Sequence, residues 1–411
     1  MTKTNVPRLR FNGFSDEWKE IKFSEIYTKS YGGGTPSKKN QDFWNDGTIP
    51  WFQSSDLVEG KLTKENVNKK ISEKAIVKSS VKVIPGGSIA IVTRVGVGKL
   101  ALIDFDYSTS QDFLSISGFK TKTMYALYLI YNLMNVLKNS LQGTSIKGIT
   151  KPELNSKRIR ISADSLEQQK IGDFFAKQDK LIELQTQKVE QLKKLKRGYL
   201  QKMFPQEGET VPRLRFSGFS GEWKEKNLVE LLKIGKSGGT PSTRNKEFYK
   251  GEIPFLSIKD VTTSNGTIFD TEKHISQEAV DNSSTWIVPK NALTLSMYAS
   301  VGSVAKFTTN IATSQAFFNM VFNENVFVDY MYHFLKYYDY CGKWNRLIAK
   351  GTQGNLNATD IKNIIVFVPK LDEQQKIGSF FAKIDKLIEE QSNKLVQLKQ
   401  QKKAYLQKMF I

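Results

Sequence analysis

The chain has 411 residues, 39% hydrophobic and 11% aromatic, enough for two or more domains that each bury a core. Lys and Arg outnumber Asp and Glu by 61 to 41, and the net charge of +20 points to a polyanionic partner, nucleic acid before a membrane surface. One cysteine, Cys341, and two histidines, His274 and His333, exclude an internal disulfide, a Cys-rich zinc site and a conventional histidine metal centre. The opening MTKTNVPRLRF lacks the apolar core of a signal peptide. The longest apolar stretch, Tyr125 to Leu137, is broken by Asn132 and Asn135 and is too short to span a bilayer. A cytoplasmic protein without membrane contact is expected.

Taken in order, the first region (1–164) opens with VPRLRFNGFSDEW at Val6 and continues through GGTPS at Gly33, Gly47-Thr-Ile-Pro-Trp51 and Ser110-Gln111. Ile89-Ala-Ile-Val-Thr93 reads as a strand and Met124 to Leu137 as a helix. A long helical segment (165–204) follows, then the polar linker PQEGET (205–210). The second region (211–370) repeats the first: VPRLRFSGFSGEW at Val211, GGTPS at Gly238, Gly251-Glu-Ile-Pro-Phe255 and Ser314-Gln315. Here Val328 to Leu347 reads as a helix and Ile364-Ile-Val-Phe-Val368 as a strand. A second long helix (371–411) closes the chain, and YLQKMF ends both helices. A period near 205 residues is a duplicated domain pair, too long for a solenoid unit.

The long segments place Ile171, Phe174, Leu181, Leu192, Leu195 and Tyr199 on one 3–4 spaced line. Ile377, Phe380, Ile384, Leu387, Leu398 and Tyr405 lie on the equivalent line of the second copy. Gln185, Lys188, Gln391 and Lys394 interrupt both lines midway. Ser165 with Gln168 and Asp372 with Gln375 are the expected N-cap pairs, and Pro205 stops the first helix. A rod of roughly 58 Å with one apolar stripe would leave it wet, so the two helices should pair with each other.

The copies diverge unevenly. Residues 167–203 and 373–409 share 26 of 37 positions, whereas 57–83 and 261–287 share 7 of 27. Two readings fit: neutral drift in loops, or constant helices for a shared partner beside varied domains that read two targets. The helical segments carry +4 and +3 of the charge, which leaves +13 on the rest of the chain.

No catalytic grouping emerges. Gly96-Val-Gly98-Lys99 lacks the earlier Gly and the following Ser or Thr of a phosphate loop, so it reads as a turn. None of the 11 prolines is followed by another, which removes the Pro-Pro-aromatic motif of an amino-methyltransferase. Two histidines and one cysteine offer no hydrolase triad. The chain reads as a binder with no catalytic and no metal residues. Thr35, Ser37, Lys38 and Lys39, with Thr240, Ser242 and Arg244, suit phosphate contacts, although Gly-Thr-Pro-Ser is equally a turn that strand pairing requires. Gln53, Ser54, Ser55, Arg94, Gln111 and Lys147 have donor and acceptor types for base edges, and Ser257, Lys259, Tyr298, Gln315, Gln353 and Asn355 are their counterparts.

The doubled GGTPS, the doubled G-x-I-P-aromatic, Ser-Gln and the two EQQKIG helix starts, in this order along essentially the whole chain, resemble the specificity subunit of type I restriction–modification systems. The resemblance implies an α+β fold with two target-recognition domains alternating with two long helices, which pack as an antiparallel coiled coil with pseudo-two-fold symmetry. Each domain would then read half of a bipartite, asymmetric site in double-stranded DNA. Two modification (methyltransferase) subunits would dock on the helices, with restriction (translocase/nuclease) subunits further out. The enzyme complex would be an endonuclease and adenine-N6 methyltransferase whose S-adenosylmethionine, ATP and Mg²⁺ sit on the partners, none on this chain. Thr93-Arg94-Val95-Gly96 and Met297-Tyr298-Ala299-Ser300 differ, so contacts there need not be equivalent. The competing reading is a non-catalytic, coiled-coil DNA-organising protein without sequence preference.

Overall fold

A computed structural model of the protein describes residues 5–63, 67–141, 148–348 and 354–410. The chain forms two units, Met1–Thr186 with Lys394–Ile411, and Gln187–Asn393. Lys147 and Gln353 lie outside the described residues.

In the first unit the strands are β1 (Lys19–Lys22), β2 (Tyr27–Gly32), β3 (Ile49–Phe52), β4 (Lys70–Ile71), β5 (Ser88–Val92), β6 (Leu100–Ile103), β7 (Ser108–Thr109), β8 (Phe113–Phe119) and β9 (Arg158–Ile161). The helices are α1 (Glu73–Lys78), α2 (Thr123–Leu141), α3 (Lys151–Ser156) and α4 (Ser165–Met203), whose residues from Gln187 on belong to the second unit, as those of the last helix from Lys394 on belong to the first. An antiparallel sheet runs β2-β8-β5-β6, and a second runs β4-β3-β7 with β3 parallel to β7. β5 is buried at every residue because both its faces are covered. Ile89 and Ile91 face a core that includes Tyr125 and Ile130 of α2, while Ala90 and Val92 face Phe52, Ile103 and Tyr107. The run is therefore continuously apolar in sequence yet two-sided in space.

The second unit repeats this with β10 (Lys224–Asn227), β11 (Leu232–Ser237), β12 (Ile253–Leu256), β13 (Thr267–Ile268), β14 (Lys273–Ile275), β15 (Ile287–Val288), β16 (Leu293–Ser296), β17 (Val304–Phe307), β18 (Ile311–Thr313), β19 (Phe317–Phe322) and β20 (Ile365–Val368). Its helices are α5 (Ile258–Thr263), α6 (Gln277–Asp281), α7 (Val328–Tyr340), α8 (Trp344–Leu347), α9 (Ala358–Lys362) and α10 (Leu371–Met409). The sheets run β11-β19-β16-β17-β13 and β14-β12-β18-β15, with β12 parallel to β18. The single helix expected over 328–347 is two, because Gly342 adopts φ +65° between α7 and α8.

The long helices pair antiparallel within each unit. In the first, Phe174 of α4 meets Tyr405 of α10 at 5.2 Å and Phe175 stacks on Phe410 at 5.8 Å. In the second, Tyr199 meets Phe380 at 5.0 Å, and Phe204 stacks on Phe381 at 6.0 Å. The last residues of each helix thus finish the other helix's unit. Phe410 reaches Trp18 and Tyr125, and Phe204 reaches Trp223 and Tyr330. Backbone bonds repeat as well, Leu9 N to Lys408 O at 3.0 Å and Leu214 N to Lys202 O at 2.8 Å.

The apolar line expected along the helices is shifted. Ile171 and Ile377 are buried, Phe174, Phe380, Ile384, Tyr199 and Tyr405 pack partly buried, and Leu192 and Leu398 are half-buried. Leu181, Leu195 and Leu387, expected on the pairing line, stand 49%, 48% and 38% exposed. Phe175, Val189, Leu200 and their counterparts Phe381 and Leu406 take the buried positions, since the domain packs over a second stripe beside the helix seam. The N-caps also move: α4 starts at Ser165, so Asp164 caps it, and α10 starts at Leu371, which places the expected Asp372 inside its first turn. Asp164 Oδ1 accepts from Leu166 N at 2.7 Å and Glu167 N at 3.1 Å, doing the work expected of Ser165.

Candidate nucleic-acid interface

The constant motifs turn out to hold each domain to its helix. Glu167, fully buried, accepts from Arg10 Nε at 2.6 Å, Arg10 Nη2 at 2.9 Å and Trp18 Nε1 at 3.1 Å. Glu373 accepts the same fork from Arg215 at 2.7 and 2.8 Å. Each carboxylate raises its arginine's pKa, chiefly through those bonds. The next residue in the motif is bound as tightly. Gln168 donates to Ser162 O at 2.8 Å and accepts from Lys122 N at 3.0 Å, and Gln374 does the same with Pro369 O and Phe327 N at 3.0 and 2.9 Å. VPRLRF and EQQ are two sides of one internal joint, which periodicity alone did not reveal.

At the strand ends of the first unit, backbone bonds gather five segments. GGTPS follows β2, and Gly33 lies so close to Ser110 O that a Cβ would stand 1.9 Å from it. Gly238 is equally tight, 2.1 Å from Thr313 O. No side chain fits at either position, which is why the motif begins with glycine in both copies. Gly34 N bonds Thr109 O at 2.8 Å, and Thr35 Oγ1 donates to Gln111 Oε1 at 2.5 Å. Thr93 N bonds Asp112 O at 2.8 Å and sets Arg94 beside Gln111. Ser110 N bonds Phe52 O at 2.8 Å and brings Gln53 alongside. Ile149 N bonds Thr93 O at 2.7 Å and places the chain after residue 147 against Arg94.

The second unit assembles the same clasp. Gly239 N bonds Thr313 O at 2.9 Å and Thr240 Oγ1 donates to Gln315 Oε1 at 2.5 Å. Met297 N bonds Ala316 O and Leu356 N bonds Met297 O, both at 2.8 Å, so Tyr298, Gln315 and Asn355 are neighbours along the backbone. The turn expected at Gly96–Lys99 has φ +89° at Gly96 and +102° at Gly98, while the second copy uses Ser300 and Gly302 at +52° and +84°.

The sequence-selected side chains fall into two groups. Ser37, Lys38, Lys39, Ser55, Arg94 and Gln111 are exposed, as are Thr240, Ser242, Arg244, Tyr298 and Gln315. Thr35, Gln53, Ser54, Asn355 and Ser257 are half-buried. Several already have internal partners. Lys69 Nζ donates to Gln53 Oε1 at 2.5 Å, and Ser257 caps α5 by accepting from Asp260 N at 3.4 Å. Lys259 pairs with Glu272 at 2.6 Å, which raises its ammonium pKa. Two cations escaped the sequence reading: Lys69, and Lys99, whose Nζ donates to Ser54 O at 3.2 Å. The repeat could have exposed the Thr–Gln clasp, since both partners recur together.

Among the described residues, no three His, Cys, Asp or Glu side chains gather as metal ligands, and no helix is long and apolar enough to cross a membrane. A family model for the type I restriction modification DNA specificity domain matches residues 15–194 and again 220–400. The chain is 30% identical over 193 residues to the Escherichia coli type I restriction enzyme EcoR124I/EcoR124II specificity subunit, covering 43% of this chain and 46% of that one. It is 28% identical over 169 residues to the MjaIX specificity subunit of Methanocaldococcus jannaschii, covering 41% and 39%. These alignments span less than half the length of those curated relatives. The crystal structure of a type I restriction–modification system S subunit from M. genitalium shares the fold at TM-score 0.62 and 16% identity, over 99% of both chains. A chain from a structure of type I R-M complex assembly and conformational transition does so at TM-score 0.60 and 18% identity, over 95% of this chain and 97% of that one.

Proposed function

We propose, for a chain that belongs to the family of type I restriction modification DNA specificity domains, that it is the sequence-reading subunit of a type I restriction–modification enzyme and is not itself a catalyst. Each unit reads one half of a bipartite site in double-stranded DNA. One observation carries the reading: a single Thr–Gln clasp is built twice, at Thr35–Gln111 and Thr240–Gln315, and bears different side chains each time. Arg94 stands where the second copy has Tyr298, and Lys38-Lys39 where it has Thr243-Arg244. A constant frame with varied donors suits two dissimilar half-sites. Lys38, Lys39 and Arg244 bind phosphates, while Arg94, Gln111, Tyr298 and Gln315 reach base edges. The helices set the spacing and dock two methyltransferase subunits. Those partners and the restriction subunits carry S-adenosylmethionine, ATP and Mg²⁺, and the assembly works in the cytoplasm.

The test is a methylation map of a host that carries this chain with its modification partner. One bipartite, asymmetric sequence should be modified, and Arg94→Tyr should alter the preference within one half only. Methylation without a shared sequence would favour the non-specific DNA organiser instead.

A further inference from the structure

One position on the helix pair is occupied differently in the two units. In the first, Asp179 of α4 accepts from Tyr128 Oη at 2.8 Å and pairs with Lys402 of α10. The Lys402 ammonium also lies over the rings of Tyr128 and Tyr131, at 5.4 and 5.3 Å. One cation meets one carboxylate there, and two phenols close the site. In the second unit Lys196 takes the role of Lys402 and donates to Asp385 at 2.5 Å. Counted from the matching residues Tyr125 and Tyr330, the two phenols are replaced by His333 and Lys336.

The replacement leaves an open cleft of about 470 Å³ lined by Lys193, Lys196, Arg197, Lys336 and Asp385. Lys193 is paired with Glu190 at 3.1 Å, and Lys306 behind the cleft with Asp329 at 2.5 Å. Among the described residues, neither Lys336 nor Arg197 has a carboxylate oxygen within 4.0 Å; Asp339 and Asp385 act on Lys336 from further off, and its ammonium lies over the Tyr332 ring at 5.7 Å. His333 is 1% exposed, its Nδ1 has no hydrogen-bond partner among the described residues, and the facing carboxylate oxygen, Asp385 Oδ2, is 3.9 Å away. Burial and the charges of Lys196, Lys306 and Lys336 hold the imidazole pKa well below its usual value. Burial, then Lys196, lowers the Lys336 ammonium. A cation disfavoured by burial and by a neighbouring cation gains when an anion arrives beside it.

We propose that this cleft binds a phosphate group, held by Lys336 and Arg197 with Lys196 shared between it and Asp385. A dianion balances two surplus cations, and the guanidinium suits its tetrahedral oxygens. The group can come from a free phosphate compound or from a nucleic-acid backbone. In the first unit Tyr131 stands where the second has Lys336.

The chain contains two histidines, so selective ¹⁵N labelling of their rings gives two separable signals in the full-length protein. Inorganic phosphate titrated at constant ionic strength should shift the His333 signal to saturation, raise its midpoint pH and leave His274 unmoved. Lys336→Tyr, which copies the first unit, should weaken phosphate at least about tenfold. The exposed variant Arg197→Gln should weaken it in the same direction without a folding defect. Random-sequence duplex DNA, added without phosphate, identifies the source: a saturable His333 shift that phosphate competes away assigns the site to the backbone, and its absence assigns it to a free compound. A His333 signal indifferent to phosphate, or an affinity unchanged in Lys336→Tyr, overturns the proposal.

Discussion

The joint between each domain and its helix rests on one buried carboxylate, and the two copies differ in how well they survive its loss. Among the described residues, Arg10 has only Glu167 as an acceptor and leaves Nη1 buried without a partner. Arg215 also donates to Gly221 O at 2.6 Å and Ser220 O at 3.3 Å. Removing one partner of a buried pair typically costs about 3–5 kcal/mol. Glu167→Gln should therefore destabilise the first unit by about that amount, and Glu373→Gln should cost the second unit clearly less, by urea denaturation. Equal losses would contradict this account of the joint. His333 supplies a pH signature of its own. Its folded pKa lies below the unfolded value of about 6.5, so below that pH the unfolded chain binds the extra proton and stability falls. Above it, both states are neutral and the contribution is full. Wild type minus His333→Gln should show a stability difference that is flat above roughly pH 7 and slopes by up to ~1.4 kcal/mol per pH unit as acid is added below about 6.5. A flat difference throughout would contradict the burial of a neutral imidazole.

At the scale of elements, the long helices were legible because 39 residues without Pro or a turn signal repeat the 3–4 spacing. Their pairing faces were only half legible. Leu181 and Leu387 fit the period but point outward, while Phe175 and Phe381 next to the line are buried, because each helix serves a partner helix and a domain at once. The β5 run was readable from Ile89 to Val92, yet its two-sided burial depends on strands far away in sequence. The clasp was half visible: GGTPS and Ser-Gln recur together, but only folding brings Thr35 to Gln111 across 76 residues. YLQKMF carries a testable consequence, since Phe204 and Phe410 fill equivalent pockets against Trp223 and Trp18. A fragment of residues 1–205 should dimerise, each copy's Phe204 taking the place of Phe410. Phe204→Ala should return it to monomer in sedimentation, with a loss of about 3–5 kcal/mol per buried ring. A fragment that stays monomeric at high concentration would count against the exchange of helix ends.

For the molecule as a whole, the +20 charge predicts strong salt dependence. If roughly eight phosphates are neutralised, log K against log salt should fall with a slope of about −7. Duplex affinity that barely changes between low and moderate salt would remove the phosphate contacts assigned to the GGTPS loops. The central claim is sharper than affinity: one frame, built twice, reads two different half-sites through its varied loops. The most direct measurement is the methylated sequence in a host whose chain carries residues 297–303 of the second unit in place of 93–99 of the first, with the modification partner present. The account predicts that one half of the modified sequence changes while the other half keeps its bases. A map in which both halves change, or neither does, would contradict it.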